Sequence, residues 1–226
     1  MKKMMSLMAL AVIASVVAAS AQEVLSANAV GYVKRAVPAG GFQIVSVPFD
    51  NIASADGYKF GDTQIAADLP VKSSVMFWDA EAQGWSGGAK TAKGWAAAQS
   101  NHVLQVGEAF FVKNNEASDL DVTAAGEVPA DTKLVRSYAG GSALSIAAMP
   151  YPVDVKFGDT DLANALPVKA SVLFWDADAQ GWSGGSKTTK GWAAAQSNKV
   201  VNAGEGFFVR TDTEGSWEAV KPYTWP

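Results

Sequence analysis

The chain of 226 residues lacks cysteine altogether and has a single histidine. Without cysteine there is no disulfide, no thiolate metal ligand and no cysteine nucleophile. The lone histidine, His102, aligns with Lys199 in the internal repeat described below, so a Ser-His-Asp set cannot form within the second copy. We interpret His102 as a surface residue. The sequence thus predicts a protein that is not an enzyme, with no catalytic residue, no metal ligand and no cofactor.

Long apolar runs are also scarce, since only one is present and it lies at the N-terminus. Two lysines precede an uncharged apolar stretch over residues 4–18, and a small-residue motif, Ala19-Ser20-Ala21, follows it. This three-part pattern is typical of a secretory signal peptide, and the run is shorter than the roughly 20 residues of a membrane span. The sequence therefore predicts a signal peptide over 1–21 and a mature chain without a transmembrane segment. We expect the protein to be secreted or held at the surface of a bacterial cell.

Basic residues are fewer than acidic ones, which gives the full chain a net charge of −4. Once the two lysines of the predicted signal peptide are removed, 16 basic and 22 acidic residues remain, a net charge of −6. Nucleic-acid binding calls for a basic patch that neutralises phosphates. The charge balance therefore argues against a nucleic-acid partner.

The chain does contain a long internal repeat. Residues 59–113 align with 156–210 at a constant offset, and 40 of these 55 pairs are identical. The segments that precede the two copies match more loosely. A repeat of roughly 100 residues is long enough to hold its own hydrophobic core. The repeat predicts two tandem domains, over residues 22–126 and 127–226, after the signal peptide.

Within each copy the pattern is mostly that of short β-strands, because apolar runs rich in Val, Ile and Phe alternate with Gly, Pro, Asn and Asp. The spacing favours an all-β fold, a small sandwich or barrel in each domain. One short helical turn is predicted in each, over 63–69 and 160–166, before a proline. The predicted strands are 29–34, 42–47, 75–79, 84–86, 109–113 and 120–123, with partners 133–136, 143–147, 172–176, 181–183, 206–210 and 216–220.

The strand over 172–176 is apolar on both faces, with Val172 and Phe174 on one and Leu173 and Trp175 on the other. Such a strand lies either in the centre of a two-layer core or with one face buried at an interface. The stretch that follows it predicts a hairpin. In the first copy, "FWDAEAQGW", Trp78 pairs across the strands with Trp85, Asp79 binds turn amides and Gly84 takes a positive φ.

Three ligand hypotheses arise from the hairpin and the glycine-rich loop after it. The "DADAQGW" stretch of the second copy resembles a calcium loop, but the twelfth position, which needs an acidic ligand, is Lys187, and Lys90 in the first copy. The "GGAKT" stretch lacks the spacing of a phosphate loop. An exposed aromatic platform for sugar rings remains, flanked by carboxylates. Its candidate residues are Trp85, Trp95, Trp182, Trp192, Asp79 and Asp176.

The two copies have diverged unevenly. The loop over 86–101 is almost identical to 183–198, whereas the strands before the repeat differ between copies. A recent duplication by itself does not predict this unevenness. We therefore expect a constraint on the loop, either packing between the domains or a partner that both loops share.

Three segments together carry a resemblance to known bacterial domains: "AGGFQIVSVPF", "VMFWDAEAQGW" and "LQVGEAFFV". The second copy has "AGGSALSIAAMPY", "VLFWDADAQGW" and "NAGEGFFV", with Ser142 in the place of Phe42. The chain resembles a family of secreted small β-domain repeats from surface proteins of planctomycete and verrucomicrobial bacteria. The resemblance implies an exported β domain. The family carries no established activity, so it assigns no functional residue.

Two function hypotheses follow. The first is an exported, non-enzymatic structural or adhesive protein of the cell surface, whose partner is a second copy of itself and which assembles through β-edge contacts of the strand over 29–34. The alternative is a carbohydrate-binding module with one aromatic site per repeat and a surface polysaccharide as partner. Two such sites on one chain would multiply a weak affinity.

Overall fold

A computed structural model describes residues 29–50 and 58–224 of the chain. The predicted signal peptide over 1–21 lies outside the described residues. Strands make up 47% and helices 13% of the structure, which confirms the prediction of an all-β fold with two repeated domains. In the described part of the chain, no helix has the length and the apolar character of a membrane span.

In its described residues, the first repeat contains eight strands and two short α-helices. Its elements are β1 (Val30–Val37), β2 (Phe42–Ser46), β3 (Tyr58–Lys59), α1 (Gln64–Asp68), β4 (Ser74–Asp79), β5 (Gly84–Ala89), α2 (Ala97–Ser100), β6 (Val103–Leu104), β7 (Ala109–Lys113) and β8 (Leu120–Glu127). A single 3-10 turn, Phe60–Asp62, precedes α1.

The second repeat has the same elements in the same order. They are β9 (Lys133–Tyr138), β10 (Ala143–Ala148), β11 (Val155–Lys156), α3 (Asp161–Ala165), β12 (Ser171–Asp176), β13 (Gly181–Ser186), α4 (Ala194–Ser197), β14 (Val200–Val201), β15 (Gly206–Thr211) and β16 (Gly215–Val220). A short stretch, 128–132, joins β8 to β9. The predicted domain boundary between residues 126 and 127 stays a prediction.

Each repeat is built around one four-stranded antiparallel sheet. The strand order is β2-β7-β4-β5 in the first repeat and β10-β15-β12-β13 in the second. Two-stranded ribbons complete each unit: β1 pairs with β8 and β3 with β6, as β9 pairs with β16 and β11 with β14. Between sheet and ribbons lies a core of buried aromatic and aliphatic side chains, with Phe60 and Phe110 fully buried in one repeat and Phe157 and Phe207 in the other.

The short helices begin for a clear local reason. The Thr63 hydroxyl accepts a hydrogen bond from the amide of Ala66 at 3.1 Å and so caps α1, and Thr160 caps α3 in the same way. Both helices end before a proline, as the sequence predicts. The second helix of each repeat, α2 or α4, is not predicted from the sequence, since four residues are too few to show a helical period.

The two four-stranded sheets pack against each other, face to face. A third apolar cluster forms there from both repeats, with Ile44 and Phe111 on one side and Ala148 and Phe208 on the other. This packing explains why the strand over 172–176 is apolar on both faces. In β12, Val172 and Phe174 belong to the core of their own repeat, whereas Leu173 and Trp175 face the first repeat.

The strand register corrects one residue correspondence of the sequence alignment. Phe42 lies opposite Lys113, and Leu144 lies opposite Arg210. Lys113 and Arg210 occupy the same place in the two repeats, so Leu144, and not Ser142, is the counterpart of Phe42. Ser142 lies in the preceding turn with a φ of 64°, the value that Gly40 has in the first repeat. The correspondence of Phe42 with Ser142 in the sequence alignment is therefore wrong, and the second copy keeps an apolar side chain, Leu144, at this position.

Candidate binding surface

The hairpin between β4 and β5 forms as the sequence predicts. Trp78 pairs directly with Trp85, and their ring centroids are 4.8 Å apart. The Asp79 carboxylate accepts hydrogen bonds from the amides of Glu81 and Ala82, at 2.9 and 2.8 Å. In the second repeat Asp176 binds its turn amides in the same manner, and Trp175 pairs with Trp182. Both aspartates therefore stabilise turns.

The positive φ of each hairpin falls on a glutamine rather than on the glycine. Gln83 has a φ of 49° and Gln180 a φ of 47°, while Gly84 and Gly181 are not in the left-handed region. Left-handed backbone is unfavourable for a residue with a Cβ. Each of these glutamine side chains extends from its turn to the other repeat and forms hydrogen bonds there.

The two glutamines clamp the sheet edges of the opposite repeats. Gln83 accepts from the amide of Leu144 at 2.8 Å and donates to its carbonyl at 2.9 Å, and the Trp78 indole N–H donates to the same carbonyl. Gln180 binds the amide and carbonyl of Phe42 at 2.8 and 3.0 Å, with Trp175 in the role of Trp78. The contacts are reciprocal, as across a two-fold axis.

Two exposed indoles lie beside these clamps. Trp85 and Trp182 are 45% and 46% exposed, and the other described tryptophans are more buried. Trp85 packs edge-on against Phe111 and Phe208, at 5.4 and 6.0 Å between centroids. Trp182 packs against the same two rings, at 6.1 and 5.5 Å. We call the surface formed by Trp85 and Trp182 the twin-indole surface.

Trp95 and Trp192 lie elsewhere. The Trp95 indole N–H donates to the carbonyl of Ala66 at 3.0 Å, and its ring packs edge-on against Phe60. Trp192 makes the equivalent contacts with Ala163 and Phe157. Both are half-buried against the core of their own repeat. The structure thus brings Trp85 together with Trp182 of the other repeat, and not with Trp95.

The nearly identical loop after each hairpin anchors the end of a helix. The Lys90 ammonium donates to the carbonyls of Ala66 and Leu69, at 2.8 and 2.6 Å, and also to that of Ala67. It lies 5.8 Å from the centroid of Trp95, which binds the same helix. Carbonyls at a helix C-terminus lack partners within the helix and carry partial negative charge, so a lysine suits them. Lys187 does the same for α3.

The paired glycines of the loop make room for a glutamine. The Gln99 carboxamide donates to the carbonyl of Gly87 at 2.9 Å and crosses over Gly88, where a Cβ would meet it at 3.2 Å. A Cβ on Gly87 would lie 2.0 Å from the carbonyl oxygen of Val75. Gln196 repeats the arrangement with Gly184 and Gly185. Contacts within each repeat therefore constrain the lysine, the tryptophan, the glutamine and the paired glycines of each loop.

His102 is half-buried, and the prediction that it is a surface residue is wrong. Its ring stacks on Phe77 at 3.8 Å, and Nε2 lies 2.9 Å from the Glu108 carboxylate. Its counterpart Lys199 lies 6.0 Å from the ring of Phe174 and 3.6 Å from Glu205. The two residues therefore serve the same packing position. Within residues 29–50 and 58–224, no group of three or more His, Asp or Glu side chains is placed to hold a metal ion.

Three groups with shifted pKa values, Asp50, Arg136 and Tyr223, lie where the two repeats join. Burial raises the pKa of Asp50, and the negative charges of Asp131 and Glu127 add to the effect. Burial lowers the pKa of Arg136. It also raises the pKa of Tyr223, which packs against the cores of both repeats, to about 12.

Comparison of the chain with protein-family models, with curated proteins and with solved structures finds no match. The resemblance to secreted bacterial β-domain repeats therefore stays a prediction. The class that the structure itself defines is a pair of all-β repeats joined face to face.

Proposed function

We propose that this protein is an exported, non-enzymatic structural protein of the cell surface with an adhesive role, and that it assembles with copies of itself through β1. The observation that carries the proposal is the outer face of this strand. Val30 and Tyr32, two residues apart and hence on one face, are 67% and 70% exposed. Export rests on the predicted signal peptide.

The edge of β1 is open in the described part of the chain, where it pairs with β8 alone. Open edges present unpaired backbone groups to any other strand. The outer strands of the two four-stranded sheets each receive a side-chain hydrogen bond: Gln180 and Gln83 bind β2 and β10, and Gln99 and Gln196 bind carbonyls of β5 and β13. This contrast supports β1 as the assembly edge.

The equivalent edge strand in the second repeat, β9, has a less apolar exposed face, although each strand carries one exposed lysine, Lys34 on β1 and Lys133 on β9. Its exposed residues are Lys133, Val135 and Ser137, and Lys133 is paired with Glu218 of β16 at 2.6 Å. β1 differs from β9 in having two large apolar side chains on its exposed face, Val30 and Tyr32, where β9 has one, Val135. Next to β1, in contrast, lies an apolar hollow of about 320 Å³ lined by Tyr32, Phe49, Val128, Pro152 and Tyr223 among others. This hollow offers a place for an apolar side chain from a second copy.

Light scattering after size-exclusion chromatography, together with negative-stain microscopy, tests the proposal. We expect the mass of the mature chain to rise with concentration, and Tyr32→Lys to keep the protein monomeric because a charge then lies on the edge. Val135→Lys on β9 is the matched control and should assemble as the native chain does. A native chain that stays monomeric at every concentration would contradict the proposal.

A second candidate function, carbohydrate binding, is favoured by the exposure of Trp85 and Trp182. The geometry favours a different arrangement of the sugar site from the one that the sequence predicts. Because the two exposed indoles pack on the same pair of phenylalanines, they belong to one surface made by both repeats, and a separate site in each repeat is not favoured.

A further inference from the structure

The twin-indole surface lies where both repeats contribute to one aromatic cluster. Trp85 and Trp182 both contact the rings of Phe111 and Phe208. Since both indoles lie within contact range of the same Phe111 ring, their centroids are at most about 12 Å apart. A single ligand that stacks on both indoles must therefore be an elongated molecule with two flat ring faces, one for each indole.

The indoles are held rigidly. Trp85 also packs against Trp78, whose N–H is fixed by the carbonyl of Leu144, and Trp182 packs against Trp175, fixed by that of Phe42. A side chain that is already ordered loses little conformational freedom when it binds. Half-exposed aromatic rings held in this way are well suited to stack against a ligand.

The surroundings of each indole are small and polar. Side chains alternate along a strand, so the next residue on the face of Trp85 is Gly87, and the next on the face of Trp182 is Gly184. The glycines add no side chain beside the rings, so each indole stays about half exposed, and the carboxamides of Gln83 and Gln180 lie in the adjoining turns. A matching ligand has an apolar ring face bordered by hydroxyls, which is the chemistry of a sugar ring.

The charged side chains near the two indoles limit the class of sugar that we expect to bind there. The turns next to the indoles carry Asp79 and Glu81 in one repeat and Asp176 and Asp178 in the other, all exposed. The hollow beside the first turn is lined by Glu81, Glu108, Asp212 and Glu214, and these carboxylates repel uronate and sulfate groups. Beside the second turn, Arg35 and Lys199 share a hollow with Asp176 and Asp178 and partly offset their negative charge. We propose that the twin-indole surface binds a neutral polysaccharide, with one sugar ring stacked on Trp85 and a second on Trp182 of the same molecule.

This inference rests on the proposed adhesive role and names what the protein adheres to. It differs from two independent sites, since each indole sits on rings from both repeats. Loss of either indole therefore removes half of a single site, and the two losses should be felt by the same ligand chain.

The test is retention of the mature, full-length chain in affinity gels that contain cellulose ether, a β-1,3-glucan, xylan or galactomannan, with alginate as the anionic probe. We expect retention by at least one neutral polysaccharide and none by alginate. Trp85→Ala and Trp182→Ala should each weaken binding about tenfold, and the double variant should abolish it. Val135→Ala, which changes an exposed residue of β9, should bind as the native chain does.

A second measurement needs no substitution. Acrylamide quenches the fluorescence of exposed tryptophans, and the bound polysaccharide should protect the native protein from this quenching. Trp85→Phe, which keeps a ring on the hairpin, should retain part of the binding. Repeating the gel assay with Tyr32→Lys separates this inference from self-assembly, because that variant should remain monomeric yet still be retained.

The proposal is overturned if no neutral polysaccharide in the panel retains the native chain, or if only alginate does. Retention that is unchanged in both tryptophan variants, or lost in one and unchanged in the other, also overturns it. Failure of assembly with retained polysaccharide binding would overturn the β1 proposal alone.

Discussion

At the scale of single residues, the lysine of each loop is the least expected finding. In the sequence, Lys90 and Lys187 stand where a calcium loop needs an acidic ligand, which argues against the ion but gives the lysines no role. In the structure both ammonium groups bind carbonyls at the end of a five-residue helix. A helix this short is not stable by itself, so the lysine and the neighbouring tryptophan help to hold it in place.

Lys90→Met should lower the free energy of unfolding by about 1 to 3 kcal/mol, because it removes charge-assisted hydrogen bonds and leaves half-buried carbonyls without them. Chemical denaturation measures the loss. Lys93→Met, at an exposed lysine of the same loop, is the control and should change stability little. Equal effects of the two substitutions would show that Lys90 does not anchor the helix.

At the scale of elements, the junction between β8 and β9 concentrates buried charge. Asp50 pairs through its backbone with Glu127 at the end of β8, and its carboxyl lies near Asp131 and Arg136. Burial and the neighbouring carboxylates raise the pKa of Asp50 above the ordinary value of 3.8, and Arg136 only partly opposes them. The folded protein therefore binds this proton more tightly than the unfolded chain does.

It follows that ionised Asp50 costs stability at neutral pH, and that this cost disappears as the pH falls below 3.8. Asp50→Asn should raise the thermal midpoint at neutral pH, and its advantage should shrink steadily on acidification. Thermal unfolding across that pH range is the measurement. Asp121→Asn, at an exposed position of β8, is the control; a variant whose advantage does not depend on pH would contradict the assignment.

The elements also show what the sequence can and cannot predict. The cross-strand pairing of Trp78 with Trp85, the short helices that end before a proline and the all-β class follow from local patterns, because each depends on residues close in sequence. The clamp of Gln83 on Leu144 could not be predicted in this way, since the two residues are 61 positions apart. On the side of Leu144 the contact involves only the backbone amide and carbonyl, so the side chain of Leu144 gives no signal of it. The apolar second face of β12 was a usable signal for the interface, and it left two alternatives open.

At the scale of the whole molecule, the two repeats pack closely at a position where their sequences differ by one methyl group. Ala109 of β7 corresponds to Gly206 of β15, and these two residues meet at the interface. A Cβ on Gly206 would lie 2.4 Å from Ile44 and 2.5 Å from Ala109, both in the first repeat. Two copies of the first repeat paired with each other would bring alanine against alanine at this point, so the interface favours the mixed pair.

Gly206→Ala should therefore destabilise the protein by about 1 to 3 kcal/mol through overpacking between the repeats. Thermal unfolding should show a lower midpoint and a broader transition as the repeats become less tightly coupled. Adding Ala109→Gly removes one of the two overlapping groups and should restore part of the loss. If the single variant melts like the native chain, the sheets do not pack as closely as described.

The reciprocal clamp has a consequence for sequence change. Gln83 and Gln180 contact the amide and carbonyl of the opposite strand and nothing specific to its side chain, so the contact accepts Phe42 as readily as Leu144. The hairpins must keep their glutamine and tryptophans, while the strands they bind are free to diverge, as β2 and β10 have done. A hairpin of this kind is in effect a portable cap: transplanted beside another exposed sheet edge at the same spacing, it should close that edge whatever residues the strand carries.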